Sequence, residues 1–549
     1  MNKRTFLYLL FGSLASQGYA ETTVITNVNG YTLNSDRELV RFEALQFTDD
    51  RVDRIYPEIQ GEYAGADTVI DGEGKTLISG LIDAHGHVLS YGRSLLTVNL
   101  VGTQSEQEAV QRVADFAAQN PDIEWILGRG WNQVLWDSNS FPTAASLDAA
   151  VGDRPVWLSR VDGHAAWGNS AAMAVADIDR GTENPDGGEI LRDQAGNATG
   201  VFIDTAMGLV SSNIPGLNQD EIRFALRTAM ESLAGFGLTS VHDAGVGSNT
   251  ISAFKQLAET GPLPIRVNVM LSAGDEYYEQ RLREGHFEDS TQTLTMNSVK
   301  IVGDGALGSR GAALIDEYSD DPGNHGLLRY NQEQLEYLMR AAMNAGFQVN
   351  THAIGDAANM IVLDNYEKLI EETGSRNLRH RVEHAQILRF EDILRFAELG
   401  VIPSMQATHA TSDKNMAQDR IGDVRIQGAY AWRKLMDAGA LIANGSDFPV
   451  ESPNPFFGLH ASVTRQGHDN QPAGGWFPGE AMTMEEAFAS FTLDAAYAGH
   501  QEEYLGSLEP GKKADFVILD RDIFAIDPAT LWQTGVEQTW VDGRKVFGD

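Results

Sequence analysis

A chain of 549 residues, 42% hydrophobic and 21% charged, has material for a sizeable core and the composition of a folded globular protein. Its formal charge of −36 sets it against nucleic acid phosphates and anionic lipid, so neither is expected as a partner. It holds no cysteine, which rules out a disulfide framework and thiolate metal sites and leaves nitrogen and oxygen as ligand atoms for any metal.

The chain opens on the basic stretch MNKR, a short apolar run FLYLLFGSLA, and SQGYA ending in Ala20. This is the layout of a cleavable export signal whose apolar part is too short for a membrane span. A periplasmic or secreted protein, cut near Ala20, is expected. Residues 21–76 are β-prone runs broken by turn residues, as in TVITNVNGYTL and DTVIDGEGKTL. The same texture returns over residues 500–549, in ADFVILDRD and QTWVDGRKVFGD, so the two ends are expected to pair into one β-sandwich domain. Between them, residues 77–499 alternate strand-like with helix-like runs. The strand candidates LIDAH, TSVHDAG, IRVNVML, SVKIVGDG, QVNTHA, RVEHA, VIPSMQ and LIANGSD suit an α/β fold of the (β/α)8 TIM-type barrel class. After the first of them, residues from about 102 to 218 are too many for a loop and are expected to form an insertion. It carries GRGWNQVLWDS and DGHAAWGNS, whose Trp131, Trp136 and Trp167 suit either a core or a pocket wall; Trp131 is the candidate substrate contact. No later stretch approaches a membrane-spanning length, so no membrane span is expected.

Five of the strand candidates end on a side chain suited to metal chemistry: His85 with His87, Lys300, His352, His384 and Asp447. Residues two apart on a strand point to the same side, so His85 and His87 can grip one ion together. Imidazole and carboxylate suit zinc or a neighbouring divalent metal. Lys300 is the odd member, because an ammonium cannot ligate a cation. Set among Val299, Ile301 and Val302, it is expected to be desolvated, with its pKa depressed and its amine able to react with carbon dioxide to give an anionic carbamate. The alternative is a lysine paired with Asp304.

The ordered set HGH, VKIVGDGALGSRGA, THAIGD, RVEHAQ and NGSDFPVESPNPF, with DGHAAWGNSAAM before and GSLEPGKKADFVILD after, resembles the amidohydrolase superfamily. More narrowly it resembles amidohydrolase family 3, the branch of metal-dependent hydrolases that includes the YtcJ-like proteins and N-substituted formamide deformylases. The resemblance implies a barrel with a β-sandwich, one or two divalent ions, most simply Zn2+, and hydrolysis of a carbon–nitrogen bond in a small amide-type substrate. It also implies that His85, His87 and Asp447 hold one ion, His352 and His384 a second, and an N6-carboxylated Lys300 both. Asp447 would serve as general base and then general acid. His164 and His242 are candidates for polarising the substrate carbonyl, though each is equally a structural histidine. Asp304, Arg310 and Asp356, in loops just past the ligand strands, are candidate substrate contacts, with a surface salt bridge as the alternative for Arg310. Competing expectations are a mononuclear deaminase of a heterocycle, which Lys300 disfavours, a carbamate or ester hydrolase, and an exported binding protein without turnover. A homodimer is left open.

Overall fold

The computed structural model describes residues 20–549 apart from 122 and 162, so all of the expected export signal but Ala20 lies outside the described residues. Eight parallel strands follow one another in a ring: Leu81–Gly86, Leu238–Val246, Arg266–Ser272, Leu294–Val302, Gln348–Ala353, Arg381–His384, Ile402–Gln406 and Ala443–Gly445. These are the eight segments that the hydrophobic pattern singles out. Several are buried along their whole length, polar residues included, because a barrel strand is covered by helices outside and side-chain layers inside. The eighth strand meets the first through a parallel bridge between Gly86 and Phe448, which brings the barrel near closure at its C-terminal end.

Helix Gln332–Asn344 shows how the outer layer is laid down. The Asn331 side chain accepts from the Gln334 amide and that of Gln334 from the Asn331 amide, closing a capping box. Leu335, Met339, Ala342 and Met343 then recur at helical spacing and bury one face.

Both chain ends enter one mixed sheet of eight strands, joined where Thr76–Ser79 pairs antiparallel with Phe516–Leu519. Its first strand, Thr22–Leu33, slips register between Thr26 and Gly30. It therefore pairs Thr68–Asp71 with one half and Thr76–Ser79 with the other. The expected sandwich takes the form of this one hydrogen-bonded sheet, with Ile25, Phe42, Leu45, Phe516 and Trp540 meeting in its apolar cluster.

Between helices Val88–Leu95 and Gln219–Ala234, a separate six-stranded sheet runs from Val98 to Asp204. Trp131, Trp136 and Trp167 form its core, with ring centroids 6.2–6.3 Å apart. The flanking helices pack on each other, so the chain rejoins the barrel where it left it. No helix among the described residues is long and apolar enough to cross a membrane.

Candidate metal centre

The centre is built on the seam where the first and eighth barrel strands meet. Asp83, buried in the first strand, accepts the backbone amide and hydroxyl of Ser446 and the backbone amide of His85. Burial pushes its pKa up to about 7 against these hydrogen bonds. The seam continues with the Asp447 amide on His85 O at 2.7 Å and the His87 amide on Phe448 O at 2.9 Å. Gly445 permits the approach, since a Cβ there would lie 2.6 Å from both Asp83 Oδ1 and His85 N. Asp447 leaves the strand at φ 60°, a strained conformation for a non-glycine residue, and turns its carboxylate toward the two histidines. On the sixth strand His384 does the same at φ 75°, which breaks the alternation after Glu383 and lets both neighbours face inward.

His85, His87, Lys300, His352, His384 and Asp447 all line one cavity of about 580 Å³ at the C-terminal face of the barrel. One nitrogen of three of the histidines is tied from outside. His87 Nδ1 is 2.8 Å from Ala244 O, His384 Nδ1 is 2.7 Å from Gln406 Oε1, and His85 Nδ1 is hydrogen-bonded to Glu383. His352 Nε2 lies 3.2 Å from Asp304 Oδ1 but is buried without a hydrogen-bond partner. The tied Nδ1 atoms carry the proton and leave the Nε2 lone pairs of His85, His87 and His384 toward the cavity. A ligand atom from each of His85, His384 and Asp447 lies within 4.8 Å of the others.

These residues fit a divalent ion. His87 Nε2 and Asp447 Oδ1 are 3.0 Å apart; with the Nδ1 proton of His87 on Ala244 O the two face each other as acceptors, and the carboxylate raises the pKa of His87 against the effect of burial. Two acceptors facing each other are relieved by a shared proton or a cation. Burial works against the charge of Asp447, but its contact with His87, foremost among the surrounding imidazoles, holds its carboxyl well below the usual range. Burial, reinforced by Lys300, lowers His85 to about 4, and burial beside His352 and His85 puts His384 well below the ordinary value. Both are neutral imidazoles at neutral pH, the form that ligates a metal. Burial also brings Lys300 down to about 8, with Nζ 3.1 Å from His85 Nε2.

The remaining candidates lie elsewhere. Trp131 is wholly buried in the insertion core, where its Nε1 donates to Leu158 O. His164 is on the surface of the insertion, its side chain 76% exposed and paired with Asp204. His242 is sealed inside the barrel against Arg381, and burial beside that guanidinium lowers it to about 3. Asp304 is turned inward, accepting the backbone amides of Ala313, Ile354 and Gly355 beside His352. Arg310 pairs with Asp320, and Asp356 caps the amide of Ile315. None of these six lines the cavity.

The cavity instead gains His409, in helix Ala407–Asp413 just after the seventh strand, and Gln386, just after the sixth. Gln386 Nε2 is 3.1 Å from His409 Nδ1, and His409 Nε2 is buried without a partner 3.8 Å from Asp447 Oδ2. Its sequence signal is ATHA directly behind SMQ, with the histidine three residues past the strand end. The signal for Glu383 is RVEH, which sets an acid beside a ligand on the same strand.

Residues 68–547 match the family model described as the amidohydrolase family. The protein LONG AFTER FAR-RED 3 of Arabidopsis thaliana is 33% identical, over 94% of this chain and 91% of its own. An N-substituted formamide deformylase of Arthrobacter pascens is 26% identical, over 88% of this chain and 91% of its own. The crystal structure of an uncharacterized metal-dependent hydrolase from Pyrococcus furiosus is 29% identical and superposes with a TM-score of 0.76, covering 92% of this chain and 100% of its own.

Proposed function

The chain belongs to the amidohydrolase family, the metal-dependent hydrolases, and on that premise we propose that it cleaves the carbon–nitrogen bond of a small formamide or N-acyl amine at a zinc centre. The observation that carries the proposal is the close approach of His87 Nε2 and Asp447 Oδ1 among three histidines, His85, His87 and His384, whose Nδ1 atoms are tied. His85, His87 and Asp447 would hold one ion, His352 and His384 a second. A bound divalent ion supplies a water of lowered pKa and a Lewis acid for the carbonyl.

The chain's own groups do the rest. Asp447, ionised at neutral pH, takes the proton of the attacking water and returns it to the departing nitrogen. His409 takes the place expected of His164 and His242: Gln386 donates to its Nδ1, so its Nε2–H points into the cavity beside Asp447, where it can donate to the oxygen on which charge develops. The Lys300 amine, brought down to about 8, attacks carbon dioxide, its nitrogen bonding the carbon while a proton leaves to solvent. The resulting carbamate supplies two oxygens in place of a positive charge. A cavity of about 580 Å³ suits a small molecule, and the relative from Arthrobacter pascens is named as a deformylase of N-substituted formamides, which favours a formyl or short acyl group.

The test is metal content measured beside turnover of a panel of N-formyl, N-acetyl and N-acyl-amino-acid amines. One or two zinc ions per chain are expected, with at least one substrate turned over. Asp447→Asn and His352→Ala should stay folded, lose metal and become nearly inactive, whereas His409→Ala should keep its metal and lose roughly 100-fold or more in kcat. Full turnover by Asp447→Asn or His352→Ala overturns the assignment.

The same proposal places the enzyme outside the cytoplasm, on the strength of the basic and apolar residues before Ala20. N-terminal sequencing of the natively produced protein should begin near Glu21; a start at Met1 refutes export by cleavage.

A further inference from the structure

Beneath the cavity floor the barrel holds an ion pair that no step above uses. Arg381 and Glu383 stand two apart on the sixth strand, both withdrawn from solvent. Arg381 is fastened on several sides: Nη2 donates to Ala84 O and to Ser404 Oγ, each at 2.7 Å, and Nη1 to His242 Nδ1 at 3.0 Å. Its Nε lies 2.7 Å from Glu383 Oε1, and Nη2 donates to Glu383 Oε2 at 3.0 Å. That same Oε2 is hydrogen-bonded to His85 Nδ1.

The three ligand histidines with a tied Nδ1 thus have unlike partners: a backbone carbonyl for His87, an amide oxygen for His384, a carboxylate for His85. All three partners fix the tautomer, but only a carboxylate also pushes charge into the ring and makes Nε2 a stronger donor to a metal. Arg381 balances the charge of Glu383 in a place withdrawn from solvent, and Ala84 O, Ser404 and His242 keep the guanidinium from turning away. An ion pair of this depth adds little net stability over apolar residues of the same volume, so its contact with His85 is the part that an apolar pair would lack.

We infer that Glu383, backed by Arg381 and His242, is a positioning residue that fixes the His85 tautomer and raises its donor strength, and so governs how tightly the centre holds its first ion. The inference rests on the zinc centre proposed above. It differs from that proposal in assigning affinity to a group that touches neither metal nor substrate.

The experiment is zinc affinity of the full-length protein, by competition with a chelator of known affinity, together with the visible spectrum of the cobalt(II)-substituted form and the unfolding midpoint of the metal-free form. The variants are Glu383→Gln and the double variant Arg381→Met with Glu383→Gln, which avoids leaving a guanidinium unpaired in the core. His85→Asn serves as the control for the site. Both Glu383 variants should bind zinc roughly 10- to 100-fold more weakly and shift the cobalt spectrum, while the metal-free double variant unfolds near the parental midpoint. Parental affinity with an unchanged spectrum in a folded variant overturns the inference and leaves the centre standing. A double variant that does not fold marks the pair as structural and overturns it too. Parental affinity in His85→Asn removes the centre itself.

Discussion

Lys300 carries the tension of this site in one side chain. Its ammonium is buried beside His85, and burial lowers its pKa from 10.5 to about 8. A lysine whose folded value lies below its unfolded value binds fewer protons in the folded state, so stability rises with pH between those two values and the full penalty is present below the lower one. At pH 7 the metal-free protein therefore bears a cost of about 3 kcal/mol at this residue, taking about 1.4 kcal/mol per pKa unit. Lys300→Met removes the charge at similar volume. The metal-free variant should be more stable than the parent by about that amount at pH 7, and the gap should close as pH approaches 10, as read by urea unfolding at several pH values. A variant less stable than the parent at pH 7 would show that Lys300 is held by its neighbours rather than tolerated among them. Stability given up at one residue is the expected mark of a group kept for chemistry.

The strands that bear the candidate ligands are legible in the sequence, because each is a short strand-like segment with a chemically distinctive residue at its end, and the barrel accounts for both features. Their loops are not legible in the same way. Asp304, Arg310 and Asp356 follow ligand strands in sequence, but distance along the chain does not say whether a side chain turns toward the cavity or back to cap amides, and Asp304 and Asp356 turn back. Trp131 is hidden for another reason: a sheet inserted after the first strand needs its own core, and the tryptophans fill it. His409 escapes a reading confined to strand ends because it sits one turn into a helix. The seam between the first and eighth strands is likewise invisible to periodicity, since it rests on Gly445 having no side chain. Gly445→Ala would drive a methyl to 2.6 Å from Asp83 Oδ1 and from His85 N. The strands must then part, at a cost of about 1–3 kcal/mol. Because Asp447 lies two residues beyond, bound divalent metal should fall more steeply than circular dichroism or solubility; full metal occupancy in that variant would mean the seam is not what sets Asp447.

Across the whole molecule the two chain ends hold the barrel from below. Arg266, on the third barrel strand and fully buried, pairs with Asp515 and Asp542 from the C-terminal segment. Lys513 lies 3.0 Å from Asp542 and 2.6 Å from Asp50, which extends the chain of charges to the N-terminal segment. Gly80, just before the first barrel strand, donates its amide to Asp515 O at 2.9 Å, and Thr76–Ser79 is paired along its length with Phe516–Leu519. The strand that carries His85 is therefore started in register by the segment around Asp515–Leu519. A chain cut after Gly499 would leave Arg266 as an uncompensated buried cation, a loss of about 3–5 kcal/mol, and would uncover the apolar cluster that Phe516 and Trp540 complete. Together with the loss of that cluster, this becomes comparable with a total stability of about 5–15 kcal/mol. The expected result is an insoluble or non-cooperatively unfolding product without zinc, checked by calorimetry and metal analysis. A soluble product with one sharp transition and parental zinc content would show that the barrel sets its own first strand, and that the terminal sheet is an appendage rather than a foundation.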